Sequence, residues 1–240
     1  MKLACSASML ILAAAGTAQA GFFSFASDVA DQSWTFTGGG AGVSDSIGPG
    51  SPLKLLIDDD NGVMPTLEVS VDFDAAIDID YAGSVDLGGG NFSHNYHANG
   101  SFSFKEITTG ITILTVEFDN QLMTALGAEF SWYTTATIQG SENPGGSVDY
   151  FWSGASLPAY GLEPGELGFN EDFAFTLTAL NTDGSLPWGG AGAGVGLDDD
   201  HLPGKTWYSE GSYSGGASIP APASLALLGA AGLLARRRRR

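Results

Sequence analysis

Leu67, Val69, Val71 and Phe73 alternate with Glu68, Ser70, Asp72 and Asp74, and Ile77, Ile79 and Tyr81 then alternate with Asp78 and Asp80. Successive side chains of a strand point to opposite faces, so this spacing places an apolar row against a core and an acidic row in water. That is the signature of an antiparallel sheet with one solvated face. A helix asks for an apolar stripe of period 3.6, and nothing between Gly21 and Ser218 carries one.

The same period recurs along the chain. Phe102 and Phe104 lead through Thr108-Thr109-Gly110 to Leu114, Val116 and Phe118, which predicts a hairpin, and Phe173, Phe175, Leu177 and Ala179 alternate with smaller residues. Shorter strands are expected at 34–37, 53–57 and 148–152, with one bent strand or two strands over 122–138, where Gly127 marks the bend. Breaks fall at Asp58-Asp59-Asp60-Asn61-Gly62 and Asn143-Pro144-Gly145-Gly146, with a polar loop over 88–100 and a glycine-rich loop over 187–196. About ten short strands at this spacing predict an all-β fold, an antiparallel β-sandwich or jelly roll. Fourteen Phe, seven Tyr and five Trp provide the core despite thirty-five glycines.

The formal charge of −18 is unevenly distributed. All twenty-seven acidic residues lie between Asp28 and Glu210, where the only bases are Lys54, Lys105 and Lys205, so that region carries −24. Such a surface repels phosphates and anionic lipid, which excludes nucleic acid as a partner.

Both ends depart from the strand pattern. Lys2, an alanine-rich apolar stretch to Ala15, and Ala18-Gln19-Ala20 make a secretory signal helix over 1–20, cleaved after Ala20, with a β body over 21–208 and a Ser/Gly linker over 209–218. The one cysteine, Cys5, falls inside the signal, so the exported body has no disulfide framework. At the other end Pro220 and Pro222 predict an extended, unpaired strip over 219–222. Leu225, Leu227, Leu228, Leu233 and Leu234 then form a short membrane helix; residues 223–235 span about 20 Å against a hydrocarbon core of about 30 Å. Arg236, Arg237, Arg238, Arg239 and Arg240 hold its far end on the cytoplasmic side, which places the body outside.

Ile219-Pro220-Ala221-Pro222-Ala223-Ser224, the Leu/Ala/Gly run and the terminal arginines together resemble the PEP-CTERM sorting signal of bacterial surface proteins. The resemblance covers residues 219–240. It implies reading by exosortase, a membrane-embedded processing enzyme, followed by removal of the tail and release or transfer to another anchor. It also implies association with exopolysaccharide and biofilm matrix. Where the family has Glu between its prolines this chain has Ala221, so Pro220, Ala221 and Pro222 form a variant of the motif.

Candidate chemistry is sparse. Asp58 and Asp60 in one loop, and Asp198 and Asp200 in another, offer oxygen ligands of the kind Ca²⁺ takes; neither loop has EF-hand spacing, and solvated turn acids are the competing reading. His94 and His97 lie together and His201 far off, with no mature cysteine to complete a zinc site. Glu163, Glu166, Glu171 and Asp172 are carboxylates of the type glycoside hydrolysis needs in pairs, but there is no Gly-x-Ser-x-Gly elbow. The expectation is a non-enzymatic exported protein of the cell surface or extracellular matrix, held in passing at the inner membrane. The alternative is a calcium-assisted carbohydrate-binding module that stacks exopolysaccharide on Trp152, Tyr160 or Trp188.

Overall fold

The structure, a computed structural model, describes residues 19–26, 34–36, 45–46, 51–59, 64–142, 145–182 and 194–219. They form one antiparallel all-β unit, as the alternation predicts. In chain order the strands are β1 (Gln19–Ala26), β2 (Trp34–Phe36), β3 (Asp45–Ser46), β4 (Ser51–Asp59), β5 (Leu67–Gly88), β6 (Asn91–Glu106) and β7 (Thr112–Ala128). They continue with β8 (Ser131–Ser141), β9 (Ser147–Trp152), β10 (Gly165–Glu166), β11 (Phe169–Asn181), β12 (Val195–Gly196) and β13 (Trp207–Ile219).

Pairing follows the chain. β1, β4, β5, β6, β7, β8, β11 and β13 each bond to the next of the series, and β13 returns to β1, so the sheet closes on itself. A jelly roll needs Greek-key crossovers, and none joins these eight strands; short detours through β2, β3, β9, β10 and β12 leave an up-and-down meander. Closure removes the exposed edges that an open sheet presents.

β7 is shared between two neighbours. Its second half, Leu122 to Ala128, pairs with β8, whereas Leu114 to Asp119 pairs with β9. Gln121 is buried where they part: its Nε2 donates to the carbonyls of Asp119 and Ser147 at 2.8 and 2.9 Å, and its Oε1 accepts from Ser141 N–H at 3.0 Å. One amide thus bonds three backbone groups at the point of divergence.

The interior is filled with rings. Phe73 meets Phe104 at 4.8 Å, Phe102 meets Phe175 at 5.1 Å, and Tyr213 stacks on Phe25 at 5.6 Å with 10° between the planes. Glycines opposite the rings make the room: a Cβ at Gly215 would lie 2.0 Å from Tyr150 Oη, and one at Gly140 would lie 2.1 Å from Phe173 Cε1. The barrel therefore has a packed core and no lumen for cargo.

Antiparallel register defines two rims. Gln19, Ile219, Asp59 and Leu67 share the lower one, and the β5–β6 and β7–β8 turns share the upper.

Four expectations change. The polar loop over 88–100 is mostly strand β6, in which His94, Tyr96 and Ala98 face inward in register with β5. The Ser/Gly linker over 209–218 is the greater part of β13, the strand that closes the barrel; its small residues accommodate the rings beside them. Ile219, expected to be unpaired, is bonded in register with Gln19, and β1 begins two residues ahead of the expected mature start at Gly21. Of the two alternatives over 122–138, the structure has two strands, with Glu129 and Phe130 forming the turn between them. The signal residues 1–18 and the sorting and anchor residues Pro220 to Arg240 lie outside the described residues.

Overpacking a ring-filled core costs about 1–3 kcal/mol. Gly215→Ala should lose that much in urea unfolding, whereas Gly196→Ala, with nothing within 4 Å of its added Cβ, should change stability by less than about 0.5 kcal/mol.

Candidate functional site

Two polar clusters sit at opposite ends of the barrel. At the upper mouth His94 is fully buried on β6, with Nε2 2.8 Å from the Ala128 carbonyl and Nδ1 2.8 Å from Ser84 Oγ. A carbonyl only accepts, so Nε2 carries the proton and Nδ1 accepts from the Ser84 hydroxyl. Tyr81 Oη lies 2.7 Å from the same Ser84 oxygen and donates to it. Ser84 Oγ is thereby occupied on both sides, which fits a polar plug between strands better than a free nucleophile.

The plug continues across the mouth. Trp132 Nε1 donates to Tyr96 Oη, which donates to the His201 carbonyl, both at 2.8 Å. Burial pushes the Tyr96 hydroxyl far above its ordinary range, so it remains a neutral donor. The His201 ring lies between Tyr81 at 4.6 Å and Phe130 at 5.1 Å, nearly parallel to both. Phe130 is 49% exposed and Tyr133 43% exposed, the latter held by its hydroxyl donating to Asn91 Oδ1 at 2.8 Å.

In the lower half, Tyr150 and Tyr213 share a hydrogen bond and Tyr150 Oη donates to the Asp172 carbonyl at 2.7 Å. Burial drives both hydroxyls well upward. Beside them Glu171 is only 2% exposed and accepts from Tyr150 N–H at 3.1 Å. Burial pushes its carboxyl up to about 7; the charges of Asp149, Glu142 and Glu166 act in the same sense, and the bond from Tyr150 N–H opposes them.

The anticipated site residues are dispersed. Asp58 accepts from the Asp59 N–H at 2.8 Å and from the Thr66 hydroxyl, and Asp198 Oδ1 accepts from the N–H groups of Asp200 and Leu202, both at 3.0 Å. Both acids cap their own loops. Asp58 pairs with Phe22 near the lower rim, whereas Leu197, next to Asp198, bonds Phe130 at the upper rim, so the two loops share no site. Asp60 lies outside the described residues, and among those described no three His, Cys, Asp or Glu side chains are grouped to hold a metal ion.

The four carboxylates weighed for hydrolysis differ in burial. Glu171 points inward and Asp172 outward as consecutive strand residues must, while Glu163 and Glu166 are exposed, the former holding the Ser156 hydroxyl. Neither of two cavities involves them: one of about 10 Å³ lies among Ile77, Met123, Leu177 and Trp207, and one of about 280 Å³ has Asp198 as its single acid.

Two of the proposed stacking aromatics are not surface rings. Trp152 is 3% exposed and donates Nε1 to the Ala155 carbonyl, Tyr160 is 9% exposed and donates to the Pro65 carbonyl, and Trp188 lies outside the described residues. Among the described residues the exposed rings are Phe22, Phe130 and Tyr133, and only the turn at Glu129-Phe130 would have marked the last two. Among the described residues no helix is long and apolar enough to cross a membrane. The chain matches no family model, and no curated protein and no solved structure matches it.

Glu171 makes stability depend on pH. Its folded carboxyl holds a proton that the unfolded chain has released above about 4.5, so stability is greatest below that value and falls as pH rises towards about 7. The loss should be on the order of 2–3 kcal/mol between pH 4.5 and 8 in denaturant titrations, and Glu171→Gln, which keeps an acceptor for Tyr150 N–H, should flatten it.

Proposed function

We propose that this chain is a non-enzymatic exported protein of the cell surface or extracellular matrix, sorted and trimmed through its PEP-CTERM-like tail by an exosortase-type enzyme. Within this reading a cleaved signal helix and a short membrane helix bracket a sandwich-like β body. The observation that carries it is the ordered tail: Pro220-Ala221-Pro222, the leucine-rich run from Leu225 and the five arginines, opposed by an export signal at 1–20. The acid distribution supports it, since every body acid would remain outside a membrane whose inner face holds the arginines. The packed barrel supports it as well, because a cysteine-free exported domain depends on its core.

The register of the chain ends adds a geometric argument. Gln19 and Ile219 are cross-strand partners, so both tags depart from neighbouring strands at one rim.

Intact-mass spectrometry of the native protein is the test. The expected species begins at Gly21 and lacks Leu225 to Arg240. A cytosolic species retaining both ends overturns the reading.

A second reading, carbohydrate binding, is favoured by one observation: Phe130, stacked on His201, and Tyr133, anchored through its hydroxyl to Asn91, are both exposed rings. With the body at −24 the glycan would be neutral. Gel retardation by hydroxyethylcellulose but not by alginate, weakened about fivefold by Phe130→Ala, is expected on this reading. Equal mobility in both gels removes it.

A further inference from the structure

We propose that a second copy of this chain docks, sheet against sheet, on the outer face of β6, β7 and β8 in the upper half of the barrel. Two independent distributions coincide there: exposed apolar side chains gather on that face, and charge is missing from it.

Of the nine large apolar side chains exposed among the described residues, Val85, Leu87, Leu122, Leu126, Phe130 and Tyr133 belong to this end of the barrel. Ile107 and Ile111 stand at the β6–β7 turn on the lower rim, and Phe22 on β1. Register makes the first group contiguous. Val85 pairs with Ser93 and Ser93 with Leu126; cross-strand partners share a face, so both apolar residues look outward with only a serine between them. Leu122 faces the same way two alternations down β7. Tyr133 starts on β8 and donates its hydroxyl to Asn91 on β6, so its side chain spans the end of β7.

The outward positions among these residues are Asn95 and His97 on β6, Thr124 on β7, and Thr135, Thr137 and Gln139 on β8; none is an acid, a lysine or an arginine. Acids begin at the border, with Asp80 opposite His97, Asp86 and Glu129 at the turns, and Glu117 and Asp119 in the lower half of β7. In a body carrying −24, whatever docks here must therefore be apolar and uncharged where it touches, and anionic lipid is repelled by the border.

The same face of a second copy meets both demands, and a two-fold arrangement buries it against itself. A neutral glycan meets only the second: Val85, Leu122 and Leu126 offer no ring for a sugar to stack on, whereas aliphatic side chains interdigitate when two sheets pack face to face. The border acids of both copies would flank such a contact. Screening them tightens it, the opposite of an interface held by ion pairs.

Sedimentation velocity over a concentration series of the native full-length protein tests this, in about 20 mM and about 300 mM NaCl. A reversible dimer is expected, at least about tenfold tighter in the higher salt. Leu126→Asp sets like charges face to face and is expected to weaken the dimer at least about tenfold, whereas Ile111→Asp, the same change at an exposed residue of the lower rim, is expected to dimerise like wild type. Circular dichroism checks that the variants are folded, and Val85→Asp makes the same test from β5 should Leu126→Asp fail that check. A chain that is monomeric at both salts overturns the proposal, and retardation of that monomer by hydroxyethylcellulose assigns the face to a neutral glycan. A dimer that survives Leu126→Asp, or that Ile111→Asp weakens equally, places the contact elsewhere and overturns it as well. So does a dimer that loosens as salt rises.

Discussion

Aromatic rings packed against glycines inside a closed sheet hold this molecule together. Cys5 is the chain's one cysteine, which leaves no internal covalent staple, so stability must come from area removed from water. Phe25, Phe73, Phe102, Phe104, Phe175 and Tyr213 contact one another across the interior, and each is almost wholly buried. Part of the room for rings of that size comes from positions with no side chain, as at Gly140 and Gly215. A high glycine content, in many chains a sign of disorder, is here partly a packing device.

Closure depends on the last strand. β13 bonds β1 on one side and β11 on the other and carries Tyr213 into the ring cluster, so the barrel is incomplete until residues up to about Ile219 are available. Pairing of Gln19 with Ile219 brings the first and last described strands together at one rim.

Polar groups inside the barrel follow the same economy. Gln121 satisfies the backbone where β8 and β9 diverge from β7, and the Tyr81–Ser84–His94 chain plugs the upper mouth. Glu171 is the exception: buried among like charges, it holds its proton to about pH 7 and ties the lower half of the barrel to ambient pH.

The sheet class was legible from residues alone, because period-two alternation at 67–81 and 173–179 depends only on local geometry. So were the absence of disulfides and the acidic outer face. The strands over 91–100 and 209–218 were hidden by composition: histidine, asparagine, serine and glycine signal loops when solvent is the assumed neighbour, yet here their neighbours are aromatic rings and adjoining ladders. For the same reason Trp152 and Tyr160 read as exposed and are buried, while Phe130 and Tyr133 are exposed. Which strands meet, and therefore that Gln19 and Ile219 lie side by side, is written in no local pattern. It follows from long-range pairing, which only the closed barrel specifies.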